Sequence, residues 1–184
     1  MADASRRAVF LDRDGTIVED PGFLHQPGKV RLLAGAGEAI HQLNQAGWLV
    51  ITVSNQSGIA RGLYDAAAYQ AVQRRLVELL AAHDARLDGA YFCPHHPEFT
   101  GPCECRKPGL LLFREAQAAL GLDFTRCCWV GDRLSDVEPA RKLGGRALLV
   151  ETGGGATYVG KARALRIPVV ADLAAAAAEI VRGA

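Results

Sequence analysis

Short apolar runs alternate with amphipathic stretches along the whole chain. The runs predict strands buried on both faces, because continuous β-branched and aromatic residues bounded by glycine or polar residues are typical of a covered sheet. The stretches between them carry apolar residues at helical spacing, which predicts helices. The predicted strands cover residues 8–11, 48–53, 90–92, 127–130, 147–150 and 169–170, and the predicted helices cover 36–46, 65–82, 109–120, 136–143, 158–165 and a last helix from residue 173.

Strands and helices that alternate in this way form a mainly parallel sheet with helices on both faces. We therefore predict an α/β protein, a Rossmann-like three-layer α/β/α sandwich. The 184 residues suit one domain, 1–184, with no insertion long enough to form a large cap domain. Loops must then gate any pocket, and the Pro- and Gly-containing stretch 18–31 is the candidate. The triplet Gly153-Gly154-Gly155 lacks the spacing of a nucleotide-binding loop and predicts a flexible surface connection.

The charged residues are balanced, with 21 Lys and Arg against 20 Asp and Glu and a net charge of +1. The basic residues are scattered, which argues against nucleic acid or an anionic membrane as a partner. No apolar run is long enough to span a bilayer, and the segment 1–7 lacks the apolar core of a signal peptide. We expect a cytoplasmic protein and, since no apolar surface stripe is evident, a monomer.

Side chains suited to phosphoryl transfer lie near the ends of four predicted strands. Ligands bind beyond the carboxyl ends of parallel strands, so we expect these side chains to meet in one pocket. They are Asp12 and Asp14 after the first strand, Ser54 after the second, Arg106 and Lys107 after the third and just before a helix, and Asp132 and Asp136 after the fourth.

The first group, Asp12-Arg13-Asp14-Gly15-Thr16, offers a carboxylate that can attack phosphorus and help to hold Mg²⁺. Its second acid can protonate a leaving oxygen and later deprotonate water. A simple turn explains the same pentapeptide equally well when it is taken alone. The groups that follow support the chemical interpretation, because a hydroxyl with adjacent amides and a lysine at a helix start both bind phosphate.

The five cysteines fall into two groups. Cys127 and Cys128 lie in an apolar run and are predicted to pack in the core. The others share the loop 93–105 with histidines, in two ligand pairs, Cys-x-His and Cys-x-Cys, on either side of a turn. This pattern predicts a structural Zn²⁺ site that orders the loop, with clustered reduced thiols as the alternative. The expected ligands are Cys93, His95, Cys103 and Cys105, with His95 preferred to His96 because the pairs then match.

The ordered set of Asp12, Asp14, Ser54, Lys107, Asp132 and Asp136 resembles the four signature motifs of the haloacid dehalogenase (HAD) superfamily of phosphohydrolases. The resemblance implies that Asp12 forms an aspartyl-phosphate and that Asp14 is the general acid and base. It implies a catalytic Mg²⁺ held by Asp12, the backbone carbonyl of Asp14 and Asp132. Ser54 and Lys107 would bind the transferring phosphate. Asp136 would support the metal site, or simply be an acid at a helix N-terminus.

A narrower resemblance rests on the runs 93–97, 103–108 and 54–62. They are similar to the heptose 1,7-bisphosphate 7-phosphatase family, which removes the 7-phosphate of D-glycero-D-manno-heptose 1,7-bisphosphate in nucleotide-activated heptose synthesis for lipopolysaccharide. Histidinol-phosphate phosphatases share the zinc loop and are the alternative, and a non-catalytic phosphosugar-binding domain is a third, less favoured one. The implied substrate contacts are Asp20, Pro21, Gly22, Phe23, Asn55, Gln56, Ser57, Arg106 and Arg133.

Arg106 is the expected partner of a second phosphate, since a guanidinium matches phosphate geometry. The run Asp20-Pro21-Gly22-Phe23 departs from the Asp-His-Gly-Tyr type common in the family. The departure removes a polar contact, which His25 could replace, although a solvated loop histidine is an equal reading.

Overall fold

The structure, a computed structural model, describes residues 6–183, so most of the segment examined for a signal peptide lies outside the described residues. Within this range the sheet has six strands, β1 (Ala8–Leu11), β2 (Leu49–Asn55), β3 (Gly89–Cys93), β4 (Cys128–Gly131), β5 (Arg146–Val150) and β6 (Val169–Val170). The helices are α1 (Ala36–Gln45), α2 (Ser57–Ala60), α3 (Ala66–Ala81), α4 (Pro97–Thr100), α5 (Leu111–Leu120), α6 (Leu134–Leu143), α7 (Val159–Ala164) and α8 (Leu173–Arg182).

All the strand pairs are parallel, and the spatial order is β3-β2-β1-β4-β5-β6. From β1 the next strands along the chain, β2 and β3, add to one side of the sheet, whereas β4, β5 and β6 add to the other side. The order therefore switches between β1 and β4, and a crevice opens beyond the carboxyl ends of these two strands. The predicted α/β sandwich with a parallel sheet is confirmed. Among the described residues, no helix combines the length and the apolar character needed to cross a membrane.

Alternate residues of β1 divide the core into two layers. Val9 and Leu11 face α1, α3 and α8 on one side of the sheet. On the other side, Phe10 packs against Trp129 of β4, with ring centroids 4.8 Å apart, and edge-on against Phe113 of α5 at 5.1 Å. Burial on both faces explains why β1 is a continuous apolar run and leaves polar side chains only at its carboxyl end.

Two short helices, α2 and α4, were not predicted, because four residues are too few to show a helical period. Helix α6 begins at Leu134, two residues earlier than predicted. The side chain of Asp136 accepts a hydrogen bond from the backbone N–H of Arg133 at 2.9 Å, which caps the first turn. The carboxylate therefore lies inside the helix and points back toward the end of β4.

The prediction that Gly153-Gly154-Gly155 forms a flexible surface connection was wrong. The N–H of Gly154 donates to Oδ2 of Asp132 at 2.7 Å, and Gly155 is buried in a 3₁₀ turn. Gly153 has φ of +57°, and a Cβ atom there would lie 2.4 Å from the same Asp132 oxygen. Gly153 has no room for a side chain against the buried Asp132 carboxylate, and Gly155 has none against the carbonyl of Val150.

The predicted gate, 18–31, is anchored at both ends. Val18 bridges to Asp14 and to Leu32, and the N–H of Glu19 donates to the carbonyl of Arg31 at 3.0 Å. Leu24 and Val30 are buried in the core, whereas the residues around Phe23 are exposed at the mouth of the crevice. The exposed part of the stretch is therefore short.

Candidate active site

A cavity of about 550 Å³ opens beyond the carboxyl ends of β1, β2 and β4. It collects most of the residues predicted from the sequence, and adds four that were not predicted. The predicted lining residues are Asp12, Asp14, Asp20, Gly22, Phe23, Ser54, Asn55, Gln56, Ser57, Arg106, Lys107, Arg133 and Asp136, and the additional ones are Arg61, Tyr64, His96 and Ser135.

Lys107 is buried between two carboxylates at the floor of this cavity. Its Nζ lies 2.8 Å from Oδ1 of Asp12 and 2.8 Å from Oδ1 of Asp136, and it also donates to the carbonyl of Val53. Burial lowers the pKa of the Lys107 amine, but the carboxylates of Asp12 and Asp136 together raise it by more than burial lowers it. The pKa is therefore above its usual value, and the ammonium stays charged.

Negative charge at the floor exceeds this one ammonium. Burial, and next the Asp136 carboxylate, raise the pKa of Asp12 well above its usual range, while Lys107 acts in the opposite direction. Burial followed by Asp136 raises the pKa of Asp132 to about 6. Three carboxylates and one lysine leave a net negative cluster, which is the electrostatic setting of a cation site.

Asp132, which does not itself line the cavity, gives the most direct sign of a cation site. It is fully buried, its Oδ2 accepts from Gly154, and its Oδ1 has no partner within residues 6–183. A buried carboxylate oxygen without a partner is unfavourable unless a cation or water meets it. A Cβ on Gly15, which has φ of +87°, would lie 2.5 Å from Asp132 Oδ2, so the second half of the Asp-x-Asp-Gly turn requires glycine.

The residues at this floor fit Mg²⁺. Oxygen atoms of Asp12, Asp132 and Asp136 lie within 4.8 Å of one another, and Mg²⁺ prefers carboxylate and carbonyl oxygens. Both oxygens of Asp136 are already engaged, one with Lys107 and the other with the N–H of Arg133. This geometry favours Asp12 and Asp132 as ligands and Asp136 as the residue that holds Lys107 beside them.

Asp14 lies next to Asp12 and is held by three N–H donors. Arg13 forms a bidentate pair with it, Nε to Oδ1 at 2.9 Å and one terminal nitrogen to Oδ2 at 3.0 Å. Gln56 donates from Nε2 to Oδ2 at 2.9 Å. Arg13 is fully buried, with its guanidinium 5.1 Å from the ring centroid of Tyr69. The second carboxylate therefore has a fixed orientation.

The polar residues at the end of β2 support one another and the lysine. The amide of Asn55 donates to the carbonyl of Lys107 at 3.2 Å and accepts from its N–H at 3.0 Å. Ser54 Oγ accepts from Gln56 Nε2 at 2.6 Å. Asn55 and Gln56 were predicted as substrate contacts, yet both side chains are engaged with other site residues.

The rim of the cavity carries positive charge. Arg133 lies 3.7 Å from Asp20, and Arg106 donates to the carbonyl of His95 at 3.3 Å. Arg61 was not predicted; its guanidinium lies 5.7 Å from the ring centroid of Phe23 and 4.7 Å from that of Phe99. It belongs to the run 54–62 singled out in the sequence, which was the only signal that could have identified it.

Pro21, a predicted substrate contact, is not found in the cavity wall, and neither is His25, for which the sequence left a substrate contact and a solvated loop position open. Pro21 is exposed and does not line the cavity, whereas its neighbours Asp20 and Gly22 do. His25 does not line it either; its ring stacks on Tyr64, with centroids 5.4 Å apart and planes 8° from parallel.

The zinc-loop residues form a separate cluster beside the cavity. The Sγ atom of Cys93 lies 3.0 Å from that of Cys105 and 3.7 Å from that of Cys103, and Nδ1 of His95 lies 3.3 Å from Cys105 Sγ. Thiolates that share a tetrahedral Zn²⁺ lie about 3.8 Å apart, so the four side chains are compatible with a zinc site. Burial raises the pKa of the Cys93 thiol, so a bound metal would displace its proton.

His96 has a different place from His95. Its Nδ1 accepts from the N–H of Glu98 at the start of α4, and its ring lines the cavity. Cys127 and Cys128 are buried in the core, as predicted.

The fold and the carboxylate floor define a class, the HAD-like hydrolases. A family model for HAD-hydrolase-like proteins matches residues 104–176. A D-glycero-β-D-manno-heptose-1,7-bisphosphate 7-phosphatase of Yersinia pestis is 39% identical over 165 residues, which are 85% of this chain and 87% of that protein. The protein with the same name from Escherichia coli K12 is 39% identical over 152 residues, 79% of this chain and 80% of its own.

A solved structure extends the likeness to three dimensions. The D,D-heptose 1,7-bisphosphate phosphatase from B. bronchiseptica, complexed with magnesium and phosphate, matches with a TM-score of 0.88 and 34% identity over 97% of this chain and 99% of that one. The chain belongs to the D-glycero-β-D-manno-heptose-1,7-bisphosphate 7-phosphatase family. The resemblance predicted from the sequence is confirmed.

Proposed function

We propose that this protein is a Mg²⁺-dependent phosphatase that removes the 7-phosphate of D-glycero-β-D-manno-heptose 1,7-bisphosphate. The observation that carries the proposal is that Asp12 lies against the Lys107 ammonium and near Asp132, which has a buried oxygen without a partner in the described part of the chain. The substrate is taken from the names of the relatives, and it places the reaction in nucleotide-activated heptose synthesis for lipopolysaccharide.

The chemistry begins at Asp12. Its carboxylate attacks the phosphorus, the bond from phosphorus to the C7 oxygen breaks, and Asp14 gives its proton to the leaving oxygen. Asp14 then takes a proton from water, which attacks the aspartyl-phosphate and releases phosphate. Lys107 and Ser54 bind oxygens of the transferring group, where preorganised donors stabilise the transition state. When bound by Asp12 and Asp132, Mg²⁺ would neutralise the charge between the nucleophile and the phosphate.

The remaining phosphate of the substrate needs a cation away from Lys107. Arg106 suits this role, because it lines the cavity, is half-buried and presents a planar guanidinium. Its side chain also donates to the carbonyl of His95, a residue of the zinc cluster. The zinc loop therefore positions Arg106 and Lys107, which follow the last cysteine directly.

The wider organisation follows from the same proposal. We expect residues 1–184 to form one phosphatase domain in which the zinc loop 93–105 is an insertion. We also expect a cytoplasmic monomer that binds no nucleic acid, because the basic residues are scattered along the sequence and no apolar surface stripe is evident in it. Light scattering after size exclusion tests the monomer directly.

Phosphate release by the purified protein with Mg²⁺ tests the proposed substrate. The panel is the β and α anomers of heptose 1,7-bisphosphate, histidinol phosphate and fructose 1,6-bisphosphate. We expect the highest kcat/KM for the β anomer. Faster turnover of histidinol phosphate would overturn the heptose assignment, and no release from any sugar bisphosphate would reject the proposed function.

A further inference from the structure

Gln56 forms hydrogen bonds through both the nitrogen and the oxygen of its side-chain amide. Nε2 donates to Asp14 Oδ2 at 2.9 Å and to Ser54 Oγ at 2.6 Å, and Oε1 accepts from the hydroxyl of Tyr64 at 2.6 Å. Only 2% of the residue is exposed. A side chain this occupied has no free group for a substrate, so its place in the cavity wall needs another account.

The chemistry of the partners fixes the direction of the hydrogen-bond chain that runs from Tyr64 through Gln56 to Asp14. A carboxylate can only accept, so the amide nitrogen must face Asp14 and the amide oxygen must face Tyr64. The Tyr64 hydroxyl must then be the donor. Burial raises the pKa of Tyr64 to about 12, so the hydroxyl keeps its proton at neutral pH.

The hydrogen-bond chain also explains why residue 58 is a glycine. A Cβ on Gly58 in α2 would lie 2.1 Å from Cε1 of Tyr64, so the ring can reach Gln56 only over a glycine. The ring also stacks on His25 of the stretch 18–31. Tyr64 therefore contacts both α2 and this stretch, while its hydroxyl donates to the amide oxygen of Gln56.

The two oxygens of Asp14 are not equivalent. Oδ2 accepts from Arg13 and from Gln56, which together fill its two acceptor sites, whereas Oδ1 accepts only from Arg13 Nε among residues 6–183. Within the described residues, Oδ1 therefore keeps one acceptor site open, whereas both acceptor sites of Oδ2 are filled.

We propose that Gln56, held by Tyr64, is a positioning residue that fixes the orientation of the Asp14 carboxyl group and leaves Oδ1 as the oxygen free to meet the leaving group. The proposal rests on the proposed function, in which Asp14 protonates the leaving oxygen as the phosphorus–oxygen bond breaks. The leaving oxygen keeps the bonding electron pair and receives its proton from Asp14, and water later returns a proton to Asp14. Without Gln56 the carboxyl group loses one of its three N–H donors and can turn, so a fraction of the enzyme presents the acid in the wrong orientation.

The leaving group distinguishes this role from a structural one. A sugar alkoxide leaves only if it is protonated, whereas p-nitrophenolate leaves without a proton. We expect Gln56→Met to lower kcat for the heptose bisphosphate about tenfold with KM unchanged, and to change kcat for p-nitrophenyl phosphate less than twofold. Tyr64→Phe and Gly58→Ala should show the same pattern with smaller losses. Tyr91→Phe, which removes a hydroxyl on β3 outside the cavity, is the matched control.

Each outcome is decisive. Equal losses on both phosphates, or a raised KM with kcat unchanged, would overturn the positioning role and assign Gln56 to phosphate binding or to folding. Wild-type kinetics in Tyr64→Phe would show that Tyr64 is not needed to hold Gln56. If the wild-type protein hydrolyses p-nitrophenyl phosphate but not the heptose bisphosphate, only the proposed substrate is overturned. The variants are then compared on the alkyl phosphate that the substrate panel identifies.

Discussion

At the scale of single residues, the molecule concentrates unfavourable electrostatics at the floor of one cavity. Asp132 is fully buried, lies near two other carboxylates and has one oxygen without a partner among residues 6–183. Such an arrangement is unfavourable in the metal-free protein and becomes favourable when a divalent cation binds. The same feature therefore connects folding stability with metal binding.

This coupling predicts the effect of Asp132→Asn. The substitution removes a buried charge, so the metal-free protein should gain stability, on the order of 1 kcal/mol, while Mg²⁺ should no longer stabilise it. Thermal unfolding with Mg²⁺ and with EDTA measures both effects. A wild-type rise in Tm with Mg²⁺ in the variant would show that Asp132 is not a ligand.

At the scale of elements, the glycine-rich turn after β5 packs against the end of β1. Gly153→Ala places a Cβ 2.4 Å from Asp132 Oδ2 and 2.6 Å from the Cα of Gly15, at a φ of +57°. We expect a loss of about 2 kcal/mol or more in the free energy of unfolding and much weaker Mg²⁺ binding.

Gly160→Ala is the matched control for that substitution. Gly160 lies in α7 with open space around its Cα, so alanine should be neutral or slightly stabilising there. Chemical denaturation of both variants makes the comparison. Equal stabilities of the two variants would contradict the packing role of the turn.

The loop between β3 and α5 carries the four Cys and His side chains that are compatible with a zinc site. Cys105→Ser should remove about one zinc per chain, and kcat should fall at least about tenfold because Arg106 and Lys107 lose their support. Cys128→Ala, which changes a core cysteine outside the cluster, should keep both zinc and activity. Metal analysis beside the kinetic assay decides; a zinc-free variant with normal kcat would refute the supporting role.

At the scale of the whole molecule, what the sequence could predict is set by the range of the interactions. The strands and the residues at their ends follow from local patterns, so Asp12 and Lys107 could be located although 95 positions separate them. The contact of Gly154 with Asp132 and that of Gln56 with Asp14 depend on tertiary packing. Their residues carry no local pattern that distinguishes a site wall or a positioning amide from an ordinary turn.

The central claim is that Asp12 is the nucleophile of a heptose bisphosphate phosphatase. Asp12→Asn keeps the size of the side chain and removes the attacking charge, so ³¹P NMR of β-heptose 1,7-bisphosphate with Mg²⁺ tests the claim directly. We predict that the wild-type protein yields inorganic phosphate and heptose 1-phosphate, and that the folded variant leaves both phosphorus signals of the substrate unchanged. Phosphate release by the variant at the wild-type rate would contradict the claim.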